Sequence, residues 1–168
     1  IRQLTAGYRV PAEVLDVANR LLPHVAAGVP PATSIRRGAD SLTYARTTAL
    51  SAEVARCAAL EGSVGVIVAD ADVPDVLARL GQDGIGAREF DADAGTRVSV
   101  VPASEAKGLE FDSVVLLEPA HIVAAEPSRT AGLRRLYVVL TRAVSRLVIV
   151  HDAPLPSELA GDGRAAGG

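Results

Sequence analysis

The sequence predicts an α/β fold: three layers, with a mostly parallel sheet flanked by helices. Three observations carry this expectation. Val64-Gly65-Val66-Ile67-Val68-Ala69, Asp112-Ser113-Val114-Val115-Leu116-Leu117 and Arg146-Leu147-Val148-Ile149-Val150-His151 are apolar, β-branched runs, as required of strands covered on both faces. Between such runs lie stretches with apolar residues at helical spacing, for example Leu133, Leu136, Tyr137 and Leu140. Strands alternating with helices close into a parallel sheet through crossovers that place helices on both sides.

The elements follow in order. Residues 11–27 read as a helix, with Pro11 acceptable in its first turn and Val14, Val17, Ala18, Leu21 and Leu22 on one face. Pro23, Gly28, Pro30 and Pro31 end it and open a loop. Ser41 to Ala45 alternates like a short strand. Ser51 is placed to cap a helix from Ala52 to about Glu61, with Val54, Ala58 and Leu60 inward. After the Val64 run, Asp70 or Asp72 introduces a helix through Val76, Leu77 and Leu80, closed by Gly81 to Gly84. Ala87 to Asp91 is a strand or its start, and Arg97 to Val101 is a further strand. A helix is expected from about Thr130 to Ala143, before the last strand at Arg146 to His151. From Ser157 the chain turns to Gly, Ala and isolated charges, so a domain over 1–156 and a flexible tail over 157–168 are expected.

Composition narrows the function. The chain has 168 residues, 49% apolar and 22% charged, enough for one domain with its own core. The formal net charge is -3, so any nucleic-acid contact must be local rather than drawn by a global positive field. A single cysteine, Cys57, excludes an internal disulfide and a cysteine-cluster metal site, and reads as a buried thiol. No charged n-region with an apolar core marks a signal peptide. The apolar runs fall short of the roughly 20 residues of a membrane span, so no membrane partner is expected. The chain opens on Ile1 and contains no methionine, the expected signature of a piece of a longer protein. Lys107 is the only lysine, and Pro102-Ala103-Ser104-Glu105-Ala106 precedes it. The phosphate-cradling pattern G-x-x-x-x-G-K-[ST] is therefore absent.

Ligands of parallel sheets sit outside the carboxyl ends of the strands, which points to the segments after Val101, Leu117 and Val150. Three segments could carry chemistry. In Glu105-Ala106-Lys107-Gly108-Leu109-Glu110-Phe111-Asp112, Gly108 permits a tight turn and Glu110 offers a carboxylate to a sugar hydroxyl; a surface ion pair of Lys107 with Glu110 is the alternative. In Leu136-Tyr137-Val138-Val139-Leu140-Thr141-Arg142-Ala143, Arg142 either complements the helix dipole or offsets charge on a transferring phosphoryl group. Tyr8 offers a ring for stacking and Arg9 a fork that matches phosphate. His24, His121 and His151 are too dispersed along the chain for a metal cluster, and no metal ligand is expected.

Taken in order, these segments resemble the C-terminal motifs of superfamily 1 helicases of the UvrD/Rep type. Leu4 to Asn19, with Tyr8-Arg9 and Ala18-Asn19, resembles motif IV; Lys107-Gly108-Leu109-Glu110-Phe111 resembles motif V; Tyr137 to Ala143, preceded by Arg134, resembles motif VI. The resemblance implies a second RecA-like domain, of the P-loop NTPase type but lacking the phosphate loop, that closes over ATP and Mg²⁺ bound on a separate N-terminal RecA-like domain. It implies that Tyr8 stacks on the adenine and that Glu110 contacts the ribose beside a loop shaped by Gly108. Arg9 and the arginine finger Arg142 would reach the γ-phosphate. The same family couples nucleotide to DNA through the motif V segment, which assigns Ser104 and Lys107 to the nucleic acid. Pro102 and Ser104 stand where family members carry Thr and His, and Gly7 and Val10 replace Asn and Ser beside Tyr8-Arg9. The interval between motifs IV and V has no room for the large extra domain of UvrD/Rep enzymes. That compactness resembles the HelD-like branch, whose ATPases associate with RNA polymerase, an implied partner here. A cytoplasmic location goes with the family. The competing reading is a RecA-like scaffold that docks on polymerase or nucleic acid without hydrolysing ATP.

Overall fold

The computed structural model describes residues 10–26, 41–91 and 96–159. In chain order the elements are α1 (Ala12–Asn19), α2 (Leu22–Val25), β1 (Leu42–Ala45), α3 (Leu50–Ala58), β2 (Val64–Val68), α4 (Val73–Gln82), β3 (Arg88–Glu89), β4 (Val98–Pro102), β5 (Phe111–Leu117), α5 (Pro119–Ala124), α6 (Arg129–Leu140) and β6 (Ala143–Val150). Short 3₁₀ turns precede α3 and α4 and follow β4. The six strands form one sheet in the order β1-β6-β5-β2-β4-β3, and every pairing is parallel.

The period of two along each strand separates the core into two sides. Ile67, Val101, Val114, Leu116, Leu147 and Ile149 face α1, α5 and α6. Val66, Val68, Val100, Val115, Val148 and Val150 face α3 and α4. Ile67, Leu116 and Ile149 are fully buried, and each such side chain contributes roughly 1.5–3 kcal/mol by leaving water. This is the three-layer α/β architecture that the β-branched runs imply.

Several boundaries differ from the sequence reading, for local reasons. The helix expected over 11–27 stops at Asn19 and resumes as the short α2. Pro23 has no N–H for the Asn19 carbonyl, and its ring would clash there. Ser51 lies inside α3 rather than capping it, and its hydroxyl donates to Asp83. Neither Asp70 nor Asp72 caps α4 through its side chain; Asp70 accepts from Ser104, and Asp72 meets His121. The cap of α6 is Ser128, whose Oγ accepts from the Ala131 amide at 3.1 Å. Helix α6 ends at Leu140, and β6 starts at Ala143 rather than Arg146. A bulge takes up the difference: Phe111 pairs with Ala143, but Ser113 pairs with Arg146. Helix α5 was not expected. It follows Glu118, which holds φ 49°, the left-handed region unusual for a residue with a Cβ.

The segment after Ser157 packs against the body as far as Leu159. The Leu159 side chain is buried, its carbonyl accepts from Arg20 Nη1 at 3.1 Å, and Glu158 pairs with Arg129. Cys57 is buried, as read, with its thiol pKa raised chiefly by burial.

Two stability predictions follow from these contacts. A Cβ on Gly132 would lie 2.4 Å from the Val123 carbonyl oxygen of α5, so Gly132→Ala should cost about 1–3 kcal/mol, read as a lowered urea midpoint. The Arg129 guanidinium, through its hydrogen bonds, holds Glu158 down at about 2 against an ordinary 4.5. A depressed carboxylate stabilises above its unfolded pKa and loses that contribution as pH falls through the folded value. Glu158→Gln should therefore lower the urea midpoint at pH 7, with the gap to wild type closing between about pH 4.5 and 2.

Candidate functional site

Because all strands run the same way, the sheet has one amino edge, where strands begin, and one carboxyl edge, where they end. The crossover 103–110 leaves β4 at the carboxyl edge and reaches the start of β5 at the amino edge. Arg142 directly precedes β6 and so stands at the amino edge as well. The Phe111 amide donates to the Arg142 carbonyl at 3.1 Å, tying the ends of the two motif-bearing segments together.

The Arg142 guanidinium is half-buried between them. Its Nε donates to the Val138 carbonyl at 2.9 Å, Nη1 to the Leu109 carbonyl at 3.1 Å and Nη2 to Thr141 Oγ1 at 3.2 Å. The bond to Val138 caps the last turn of α6, so the dipole role is realised; the bond to Leu109 reaches beyond the helix. Burial lowers the arginine's pKa, and the neighbouring Glu110 carboxylate and Tyr137 hydroxyl oppose that shift. Tyr137, half-buried on the same helix, is pushed up by burial.

Gly108 holds φ +84° in the turn before Leu109, a conformation that favours glycine. The Leu109 amide donates to Ala106 O at 3.0 Å, which turns the Leu109 carbonyl toward Arg142. Phe111 anchors this stretch from below, edge-on to Phe90 at 6.2 Å and over Gly65, where a Cβ would meet its ring. Glu110 and Lys107 are exposed. Among the described residues Lys107 forms no ion pair, so the alternative of a Lys107–Glu110 bridge is not realised.

Gly108, Glu110 and Arg142 thus come together, with Lys107 in the same turn. Ser104 does not join them. It sits at the carboxyl edge, where its amide and hydroxyl donate to Asp70 and its carbonyl accepts from Arg135. Tyr8 and Arg9 lie outside the described residues. The chain that follows them is placed: Glu13 Oε1 accepts from Ser41 Oγ at 2.9 Å, just ahead of β1, so α1 begins at the amino edge.

The carboxyl edge, where the general rule for parallel sheets put the ligand, has a different character. It carries a cavity of about 200 Å³ with Leu50, Val76 and Leu117 in its lining, and with Arg79 and His121 as well as Asp72, Asp75 and Glu118 around them. Beside it, Asp152 is held down at about 2 by hydrogen bonds from Thr47 and Arg46. Of the segments singled out at the strand ends, the one after Val101 starts here and runs to the amino edge, where Gly108, Glu110 and Arg142 meet. Sequence reasoning also missed Thr141 and the Leu109 carbonyl as partners of Arg142, although Thr141 adjoins it and Leu109 lies within the motif already singled out.

No family model matches the chain, and no curated protein does. Among solved structures, the C-terminal domain of a possible DNA helicase from Lactobacillus plantarum WCFS1 is similar with a TM-score of 0.70 at 19% identity, over 94% of this chain and 95% of that one. The arterivirus nonstructural protein 10 helicase, solved with DNA, has a TM-score of 0.47 at 16% identity, over 71% of this chain and 32% of that one. The first likeness establishes the fold, a RecA-like α/β domain like that helicase C-terminal domain. No helix among the described residues is long and apolar enough to cross a membrane.

Gly108→Ala finds open space but the wrong backbone region. It should cost about 1–2 kcal/mol, read as a lower thermal midpoint with the circular dichroism spectrum retained.

Proposed function

We propose that this chain is the second RecA-like motor domain of an ATP-dependent superfamily 1 helicase or translocase, working opposite an N-terminal RecA-like domain that holds ATP. The observation that carries the reading is the meeting of Gly108, Glu110 and Arg142 at the amino edge, from two segments far apart in sequence. Arginine N–H groups are suited to phosphoryl oxygens. Of the five on Arg142, three are engaged within the domain, which leaves one on each terminal nitrogen for the γ-phosphate.

In this reading Arg142 offsets the charge that builds on the γ-phosphoryl group as it passes to water. Glu110 accepts from the ribose hydroxyls, and Gly108 lets the crossover approach the sugar. Tyr8 and Arg9 would stack on the base and add a second guanidinium. Mg²⁺, the phosphate loop and the water-activating carboxylate belong to the partner domain, and the bound Mg²⁺ would neutralise phosphate charge there. Closure of the cleft would move a DNA strand past Lys107 and the Ser104 segment, or act on RNA polymerase in the HelD-like form of the reading.

The test is Arg142→Ala in the polypeptide that includes the phosphate-loop domain. An arginine finger contributes roughly a thousandfold or more to turnover, so steady-state ATPase should fall by about that factor. Activity within a fewfold of wild type would replace this reading by the scaffold that docks without hydrolysis.

A further inference from the structure

We infer that Thr141 is the positioning residue of Arg142, the side chain that holds the guanidinium plane in line for the γ-phosphate. The inference rests on the proposed function and adds to it a residue with its own role.

Three acceptors surround the guanidinium: the carbonyls of Val138 and Leu109 and the hydroxyl of Thr141. Two are backbone oxygens fixed by the end of α6 and by the turn at Gly108. Only the third is a side chain. Thr141 Oγ1 lies 3.0 Å from both the Tyr137 and the Val138 carbonyl. Its single proton goes to that pair, so an Oγ1 lone pair is left for Arg142 Nη2. The threonine methyl restricts rotation about χ1. Thr141 itself sits half-buried at the cap of α6, with backbone bonds from its amide to Tyr137 and Val138.

The three bonds hold both terminal nitrogens and Nε in place. Without the hydroxyl, Nη2 loses its anchor, and torsion of the guanidinium about the Cδ–Nε and C–N bonds is less restrained. The two free N–H groups then sample directions away from the phosphate. A misaligned group lowers the rate of the chemical step more than it lowers substrate affinity.

The experiment compares Thr141→Val, Thr141→Ala and Thr141→Ser with Arg142→Ala in the polypeptide that includes the phosphate-loop domain. Val and Ala remove the acceptor; Ser keeps it. The expected result is a fall in kcat of about tenfold for Val and Ala, with KM for ATP within about twofold, and near wild-type kcat for Ser. Nitrogen-15 NMR on the chain itself should show the Arg142 terminal nitrogens resolved in wild type and Thr141→Ser, and averaged by faster rotation in Thr141→Val. Full activity and unchanged rotation in Thr141→Val, beside an inactive Arg142→Ala, would overturn the positioning role while the motor reading stands. An active Arg142→Ala would instead bring down the motor reading beneath it.

Discussion

The site depends on one guanidinium bonded across a boundary between segments. Arg142 belongs to the turn that follows α6, yet Nη1 reaches the carbonyl of Leu109 on the crossover that precedes β5. The return contact, from the Phe111 amide to the Arg142 carbonyl, closes a ring of backbone and side chain around the start of two neighbouring strands. Remove that ring and Glu110 is a carboxylate on an exposed connection. With it, a carboxylate and a guanidinium share one rim, held by two strands whose later residues, 113–117 and 147–150, are buried in the core. Sites built on rigid elements keep their geometry better than sites on free loops.

The crossover gives this rim a second connection. Only eight residues join β4 to β5, and they traverse the sheet without an α-helix. At one end Ser104 is bonded to Asp70, beyond β2, and to Arg135 of α6; at the other Leu109 is bonded to Arg142. This short strap is thus anchored at both ends. The edges differ in their groups as well: Asp72, Asp75 and Glu118 stand with Arg79 and His121 at the carboxyl edge, and Arg142 stands beside Glu110 at the amino edge.

Much of this was legible in the residues. The β-branched runs located three of the four interior strands, β2, β5 and β6, and the parallel architecture, because burial on both faces leaves little freedom in side-chain choice. The motif segments located Gly108, Glu110 and Arg142. What could not be read was the contact between them, from Arg142 to the Leu109 carbonyl, and the bulge opposite Phe111 that moves the start of β6 from Arg146 to Ala143. The caps were misassigned for a related reason. Ser51, Asp70 and Asp72 have the right chemistry to cap a helix locally, but residues distant in sequence, Asp83, Ser104 and His121, compete for the same groups. Among the described residues Ser128, exposed and close to its helix, behaves as the local rule states.

The same geometry explains why the residue at this position must be arginine rather than lysine. The acceptors around it are three: Val138 O, Leu109 O and Thr141 Oγ1. An ammonium carries three N–H donors, so satisfying this pocket would engage all of them and leave none for a ligand. A guanidinium carries five, and two remain. Burial adds a second reason. It disfavours the charged form here, as the lowered pKa of Arg142 records, and a lysine starting about two units lower would be nearer to losing its proton in the same surroundings. An arginine in this place can close the rim through three of its N–H groups and still keep two that none of these three acceptors takes.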